Sequence, residues 1–594
     1  MATVIPVVVK HEGKKYDVDL DLTSTGETLK YQLYSLTGVE PERQKVLAKG
    51  TKLKDDTDLG KLGLKPKGLL MMMGTASGSG GAVQAPKEKI KFLEDMTEAE
   101  QAQQEGATPA GLQNLGNTCY MNSTLQTLRA IPELQQELKS YTTNASGQAG
   151  PSGVDLSQFG LGGLGATFDL TASLRDLYQQ MSETQEGFPP LMFLNSLRTA
   201  FPQFAQKAKD GHGYAQQDAE EAWSQIVSQI RQKLKIKENG SAGSSASGSQ
   251  EDTSFIDRYM AGKFESIMEC DEPEAKEKGE EPTTSTDSFF KLDCHISKET
   301  NHLRDGVVDA LSEKIEKNSP ALGRNAVYTK TSQIARLPKY LPVHFVRFHW
   351  RKDIGKKTKI LRKVTFPHEF DVVEFCTEDM KKLLIPVRDK MRDVRKEVED
   401  VERAKKRQKR MQKEQESALA VETKGKGPAS ESTLAKEKTE NVKKESSSKN
   451  GDTEMTDVEY KTDAQIEAER AASILAAKKE LLALVDPKLQ QDIGGNQTGL
   501  YELRGVITHQ GASADSGHYT SYVKKEGAKD PVTGERKQED GRWWWFNDDK
   551  VSEVEAEKIE TLSGGGESHS ALILLYRAVD PPQIEEDAPP AASS

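Results

Sequence analysis

Of four cysteines in 594 residues, Cys119 stands where a thiol could become a nucleophile. The thiolate is the attacking species, and a free cysteine with a pKa of ~8.5 is mostly protonated at neutral pH. A helix N-terminus favours the anion through its free N–H groups and its dipole. The segment GLQNLGNTCYMNSTL (111–125) offers such a place. Gly116, Asn117 and Thr118 are turn and cap residues, and 120–130 reads as a helix with Leu125 and Leu128 on one face. Asn114, five residues upstream, could bring a side-chain amide to a substrate carbonyl, where an oxyanion donor is typically worth ~10²–10³ in rate. Almost 400 residues later, YELRGVITHQGASADSGHYTSYV supplies a base. Residues 501–508 alternate like a strand, HQGASADSG reads as a flexible loop, and His518 opens the next strand; His509 precedes the loop and is the lesser candidate. In GRWWWFNDDKV, 543–546 is an apolar strand ending in Asn547, Asp548 and Asp549. One of these could accept a hydrogen bond from His518 and fix its tautomer, although taken alone NDD is an ordinary turn.

The elements that must position these residues belong to a large chain. Its length exceeds what one core supports, so two or more folded units with linkers are expected. Hydrophobic residues are 35%, charged residues 29%, the net charge is −11 and the mean hydropathy −0.68. No run approaches the ~18 apolar residues of a membrane span, no secretory signal is read at MATVIPVVVKHEGKK, and the acidic balance argues against nucleic-acid binding. Cys270, Cys294 and Cys376 form no CxxC pair. Thiolate zinc sites and a disulfide framework are therefore not expected, and these three read as buried small hydrophobes in a reducing compartment.

Residues 4–74 form one small unit. VIPVVVK is a strand, and Tyr16, Val18, Leu20 and Leu22 alternate with charges as a second strand after a turn at 11–13. Leu29, Leu33 and Leu36 mark a helix stopped by Gly38, and KVL, DLGKLGL and GLLMMM complete the order ββαββ. This unit resembles ubiquitin over its whole length, including PERQKVLAKGTKL, so a β-grasp is expected over 1–75. No Arg-Gly-Gly closes the last strand, so it reads as a permanent module and not a conjugated tag. Alternation is taken to put Leu69, Met71 and Met73 inside and Leu70 and Met72 outside. With Leu47, the outer pair would form an apolar docking face, the alternative being extra core.

Residues 76–105 read as a flexible linker, and a larger region spans 106–577. Gly/Ser-rich segments 143–166 and 237–252 are expected loops. The charged insertion 388–470 is expected to be helical at first and then too polar to fold, with AQIEAERAASILAAKKELLALV an amphipathic helix. AKKRQKR there could be a nuclear-localisation run, but a solvated helix face is the preferred account. Residues 578–594 read as a disordered acidic tail.

Together the clusters resemble the ubiquitin-specific protease family. GLQNLGNTCYMNS is similar to its Cys box and YELRGVITHQGASADSGHYTSYV with WWWFNDDKV to its His box. QQDAEEAW resembles its ubiquitin-tail helix, and LPKYLPVHFVRFHW with KVTFPHEFDV its palm strands. The resemblance implies an α+β protein: a ubiquitin-like β-grasp followed by a papain-like catalytic domain of fingers, palm and thumb. It implies Cys119 as nucleophile, His518 as general base, Asn547 in the usual third position with Asp548 beside it, and Asn114 in the oxyanion hole. Asp218 and Glu221, with Gln217 and Tyr519, would hold ubiquitin's basic tail, because charge-assisted bonds to a guanidinium are strong. Ala222 and Trp223 replace the Phe-Leu common in that helix, and without paired CxxC motifs the fingers should be metal-free, with no cofactor required. A ubiquitin-like domain joined to zinc-less fingers resembles the proteasome-associated subclass. That implies docking on the 19S regulatory particle of the 26S proteasome through Leu47, Leu70 and Met72, and trimming of ubiquitin conjugates there. It also implies gating loops, of which 510–517 is the candidate, a monomer outside the proteasome, and residence in cytoplasm and nucleus. The competing reading is a ubiquitin-binding scaffold with little catalysis. A modifier precursor is excluded by the missing tail.

Overall fold

The computed structural model describes residues 4–74, 96–102, 107–142, 169–208, 213–236, 253–424, 463–513, 516–527 and 539–582, apart from a few positions inside 4–74 and 253–424. The chain divides into two compact units, Met1–Met96 and Thr97–Ser594. The expected loops at 143–166 and 237–252 lie outside the described residues, as do most of the linker and the tail after Pro582.

In the first unit, strands β1 (Val4–His11) and β2 (Lys14–Asp21) close on Leu29 and Leu33 of helix α1 (Gly26–Thr37). With β3 (Lys45–Ala48), a two-residue β4 (Thr51–Lys52) and β5 (Gly68–Met73), the sheet order is β2-β1-β5-β3-β4. That is the expected β-grasp with one short strand added. The phase of β5 is the reverse of the expectation. Leu70 and Met72 are 1% and 3% exposed, whereas Leu69, Met71 and Met73 are 54%, 45% and 53% exposed. Pairing decides it: Leu70 lies beside Val9 of β1 and Met72 beside Val46 of β3, both core residues. A run of five apolar residues carries no mark of its inner face, and a one-residue slip exchanges the two faces. Leu47 lies opposite Met71 and is half-buried, so the outer stripe is Leu47, Leu69, Met71 and Met73.

The second unit packs helices against a ten-stranded sheet, in which Leu292–His295, Tyr340–Val346, Ser570–Ala578, Leu500–Ser513, Ser516–Lys524, Trp543–Asn547 and Lys550–Val554 lie side by side. The helices Cys119–Leu128, Pro132–Ser140, Leu170–Met181, Leu191–Ala200 and Ala219–Lys233 share one core with the sheet's Ile507, Tyr519 and Leu572. These are the expected palm and thumb. A separate four-stranded sheet of Ser312–Ser319, Arg324–Arg336, Gly262–Cys270 and Thr283–Phe289 forms the fingers. Cys270 packs there with Ala275, Ala326 and Tyr328, and Cys294 lies in the palm core, as small hydrophobes.

Several expectations change. The strand Leu500–Ser513 is buried on both faces through His509, because helices and other strands cover both sides of the central sheet. The segment 510–517 is not an open loop: the strands run to Ser513 and from Ser516, pairing Gln510 with His518 across a bulge. The helix that leads into the charged insertion starts ahead of residue 388. This helix, Glu378–Lys424, anchors itself through Leu384, Val387, Met391 and Val394 before its charged stretch, and residues 425–462 lie outside the described residues. Helix Asp463–Leu484 returns alongside, joined through Leu481 and a Lys390–Glu480 ion pair. Its Leu475 and Leu484 are exposed, so it is less amphipathic than its sequence reads. In the basic run, Lys405, Lys406 and Arg407 lie on an exposed helix surface, as expected of a solvated face. The last strand extends to Ala578, and Val579 tucks against Leu500, two residues past the expected end of the domain.

Candidate active site

Cys119 is the first residue of its helix, and the turn before it is locked by side chains. Asn114 Oδ1 accepts from the amides of Gly116 and Thr118, both at 3.1 Å, and Thr118 Oγ1 accepts from the Leu115 amide at 2.9 Å. Gly116 (φ 89°) and Asn117 (φ 54°) take left-handed backbone, which glycine and asparagine tolerate best. The whole helix is buried, Cys119 included, and burial pushes its thiol up to about 11. The Tyr519 amide beside the sulfur opposes that rise, and the Asp548 charge adds to it. Burial thus favours the protonated thiol over the thiolate.

His518 lies on the strand packed against this helix. Its Nε2 is 2.6 Å from Asn547 Oδ1. An amide oxygen can only accept, so Nε2 carries the proton and Nδ1 keeps its lone pair. Asp548 Oδ2 is 4.0 Å from the same nitrogen, beyond hydrogen-bond range. Its carboxylate is otherwise engaged: Asn122 Nδ2 donates to Oδ1 at 2.8 Å and Asn114 Nδ2 to Oδ2 at 3.0 Å. Asp548 (φ 55°) also offers its carbonyl to the Leu112 amide at 3.0 Å. The adjacent Asn and Asp thus do different work. Asn547 sets the tautomer of His518, and Asp548 ties the turn to the Cys119 loop and aims Asn114.

A cysteine at a helix start, a histidine oriented by Asn547 and an asparagine held by the Asp548 carboxylate thus lie on packed elements. Residues 110–576 match the family model described as ubiquitin carboxyl-terminal hydrolase. The chain belongs to that family. Residues 7–77 match the ubiquitin family model. The relative named ubiquitin carboxyl-terminal hydrolase 6 from Schizosaccharomyces pombe is 41% identical over 97% of this chain and 99% of its own. Hydrolase 7 of Arabidopsis thaliana is 35% identical over 97% and 99%, and hydrolase 14 of Caenorhabditis elegans is 28% identical over 99% and 96%. This hydrolase is a cysteine-type deubiquitinase.

The tail-binding candidates cluster at the N-terminal end of helix Ala219–Lys233, which meets the Cys119 helix where Thr124 Oγ1 donates to Ala219 O at 3.5 Å. Asp218 caps that helix, accepting from the Glu220 amide at 3.0 Å, and burial raises its pKa. Gln217 and Glu221 flank it and are half-buried. Ala222 and Trp223 are both buried in the shared core. Tyr519 differs from its assignment as a tail contact: its ring is 1% exposed, edge-on to His509, because the strand that presents His518 outward turns the next side chain inward.

Several residues had no role in the sequence reading. Asn122 bridges Asp548 to the Leu112 carbonyl at 3.1 Å; its place in CYMNS, one turn after Cys119, was the available signal. Gly111 and Gly187 leave room for the NDD turn, since a Cβ would lie 2.4 Å from the Asp549 carbonyl oxygen and 2.7 Å from its Cβ respectively. Glu220 is held by Lys291 at 2.6 Å, and Lys291 also meets Asp293 at 3.3 Å, so the first helical turn carries more acid than its two named members.

Proposed function

We propose that this deubiquitinase works on conjugates at the proteasome, with Cys119 attacking the carbonyl of ubiquitin's C-terminal glycine. His518 Nδ1 takes the thiol proton, and the thiolate forms beside the Tyr519 amide and the helix N-terminus. As the tetrahedral oxyanion develops, Asn114, aimed by Asp548, donates to it. The proton then passes from the imidazolium to the leaving amine, and the C–N bond breaks to give the thioester. Water, deprotonated by His518, hydrolyses that thioester and frees ubiquitin. The single observation that carries this reading is the 2.6 Å bond from His518 Nε2 to Asn547, which leaves Nδ1 as the basic nitrogen. Asp218, Gln217 and Glu221 receive the basic tail; the raised pKa of Asp218 marks a carboxylate that a guanidinium would relieve.

Docking is assigned to the ubiquitin-like domain, through Leu47, Leu69, Met71 and Met73 in place of Leu70 and Met72. Three exposed large apolar side chains on one strand face support an interaction surface, and the partner is the 19S regulatory particle. A monomer outside the proteasome, no nucleic-acid partner, and a place in cytoplasm and nucleus complete the proposal. Ubiquitin with a C-terminal electrophile should label the parent, and Cys119→Ala and His518→Ala should abolish labelling. Labelling that survives in the Cys119 variant rejects the nucleophile. Deleting residues 1–75 should spare labelling and remove co-sedimentation with proteasomes; unchanged co-sedimentation rejects the docking role.

A further inference from the structure

Behind the strand that carries His518 lies a buried cation. Lys359 ends the strand Lys356–Lys359, is 6% exposed, and donates from Nζ to the His509 carbonyl at 2.6 Å. Among the described residues no carboxylate lies within ion-pair distance of it. Burial and the neighbouring Arg347 charge push its pKa down to about 8, with the more distant Glu567 opposing. Arg347 is itself fully buried and spends its donors on the carbonyls of Ala571, Ser563 and Arg362. Two buried cations this close together work against folding, and such a cost is commonly retained where function needs it.

The contact Lys359 makes is placed where the site needs rigidity. His509 and Tyr519 face each other across the hairpin. In an antiparallel pair, the amide and carbonyl of both residues point either into the ladder or out of it. The Tyr519 amide faces the Cys119 sulfur. This is therefore an outward pair, and the His509 carbonyl leaves on the far side. On that side the chain leading into Ser570–Ala578 runs alongside, and the Gly511 amide donates to the Glu567 carbonyl at 2.9 Å. Ser570–Ala578 pairs with this strand only at Tyr501–Leu503, and Lys356–Lys359 only at Thr358 with Ser513. The His509 carbonyl is taken by side chains, Lys359 Nζ at 2.6 Å and Ser570 Oγ at 3.5 Å. One side of the residue pair thus touches the nucleophile, and the other is held by a side-chain ammonium.

We propose that Lys359 is a positioning residue for the catalytic pair: by holding the His509 carbonyl, it fixes the His518–Tyr519 backbone against Cys119. The proposal rests on the roles given above to Cys119 and His518. The full-length chain is compared with Lys359→Met, Lys359→Gln and His518→Ala, using ubiquitin with a C-terminal electrophile. In the methionine variant the maximal labelling rate should fall at least about tenfold, since small misplacements of reacting groups are that costly. The half-saturating probe concentration and the thermal midpoint should not worsen, because an apolar side chain replaces a buried charge. Glutamine keeps a donor and should stay within about threefold of the parent. The His518 imidazole nitrogen spectrum should show a smaller share of the Nε2–H tautomer in the methionine variant alone. Parental labelling by Lys359→Met, or a glutamine variant that falls equally far, overturns the proposal. If His518→Ala labels like the parent, the base assignment fails instead. Should the methionine variant not fold, the same contrast is read between Lys359→Gln and Lys359→Ala.

Discussion

Replacing Asn547 by alanine separates the two acceptors that the sequence leaves open. The variant removes the oxygen 2.6 Å from His518 Nε2 and leaves the Asp548 carboxylate 4.0 Å away, bonded to two asparagines. A hydrogen bond of this kind is worth ~1 kcal/mol net for a neutral ring and ~1.5–3 kcal/mol for an imidazolium. The ring is neutral before proton transfer and charged after it, so the difference of ~1–2 kcal/mol falls on the barrier. At 1.36 kcal/mol per tenfold, the labelling rate should drop about 5–30-fold. The His518 side chain is 34% exposed, so water can take over part of the bond and the lower half of that range is expected. Asp548→Ala acts by another route. It releases Asn114 and Asn122, and the lost oxyanion donor should cost up to ~10²–10³, partly offset because the Asp548 charge no longer raises the Cys119 thiol. In an Asn114→Ala background, Asp548→Ala should then add little, whereas Asn547→Ala should multiply its full effect. Labelling kinetics of the single and double variants measure this. An Asn547→Ala variant within about twofold of the parent, or a full multiplicative loss for Asp548→Ala on Asn114→Ala, would refute the division of roles.

Gly111→Ala places a methyl 2.4 Å from the Asp549 carbonyl oxygen and should displace the NDD turn, costing ~1–3 kcal/mol of stability with a loss of labelling; thermal unfolding and probe kinetics read both. Met71→Glu on the exposed face of the ubiquitin-like domain should weaken proteasome co-sedimentation and spare probe labelling, whereas Met72→Glu, at a position 3% exposed, should unfold that domain, as circular dichroism of a fragment spanning residues 1–75 would report. Burial pushes His509 down to about 3, so between roughly pH 6.5 and 3 the unfolded chain binds a proton that the native chain refuses, and stability falls as pH falls. By pH 5 this amounts to ~2 kcal/mol, and His509→Leu should lose that slope in thermal midpoints measured from pH 7 to 5.

How far the sequence was legible depended on the range of the interactions involved. The Cys119 helix start, its Gly-Asn-Thr turn and the β-grasp elements follow from capping, turn chemistry and period, all of which act within a few residues. The phase of GLLMMM did not follow, because Leu70 faces inward only through its pairing with Val9, 61 residues away along the chain. Tyr519 could not be recognised as a core residue while 510–517 read as a loop, since only the paired hairpin turns it inward.

The sequence by itself determined which residues could react and the family to which they belong, because long local motifs carry both. Tertiary structure alone decided what each polar neighbour does. Asn547 and Asp548 are adjacent and chemically similar on paper. A left-handed turn at Asp548 sends one side chain to His518 and the other to Asn114 and Asn122, 434 and 426 residues away. Lys359 carried no signal at all, since one lysine among many acquires a role only when folding buries it against the His509 carbonyl.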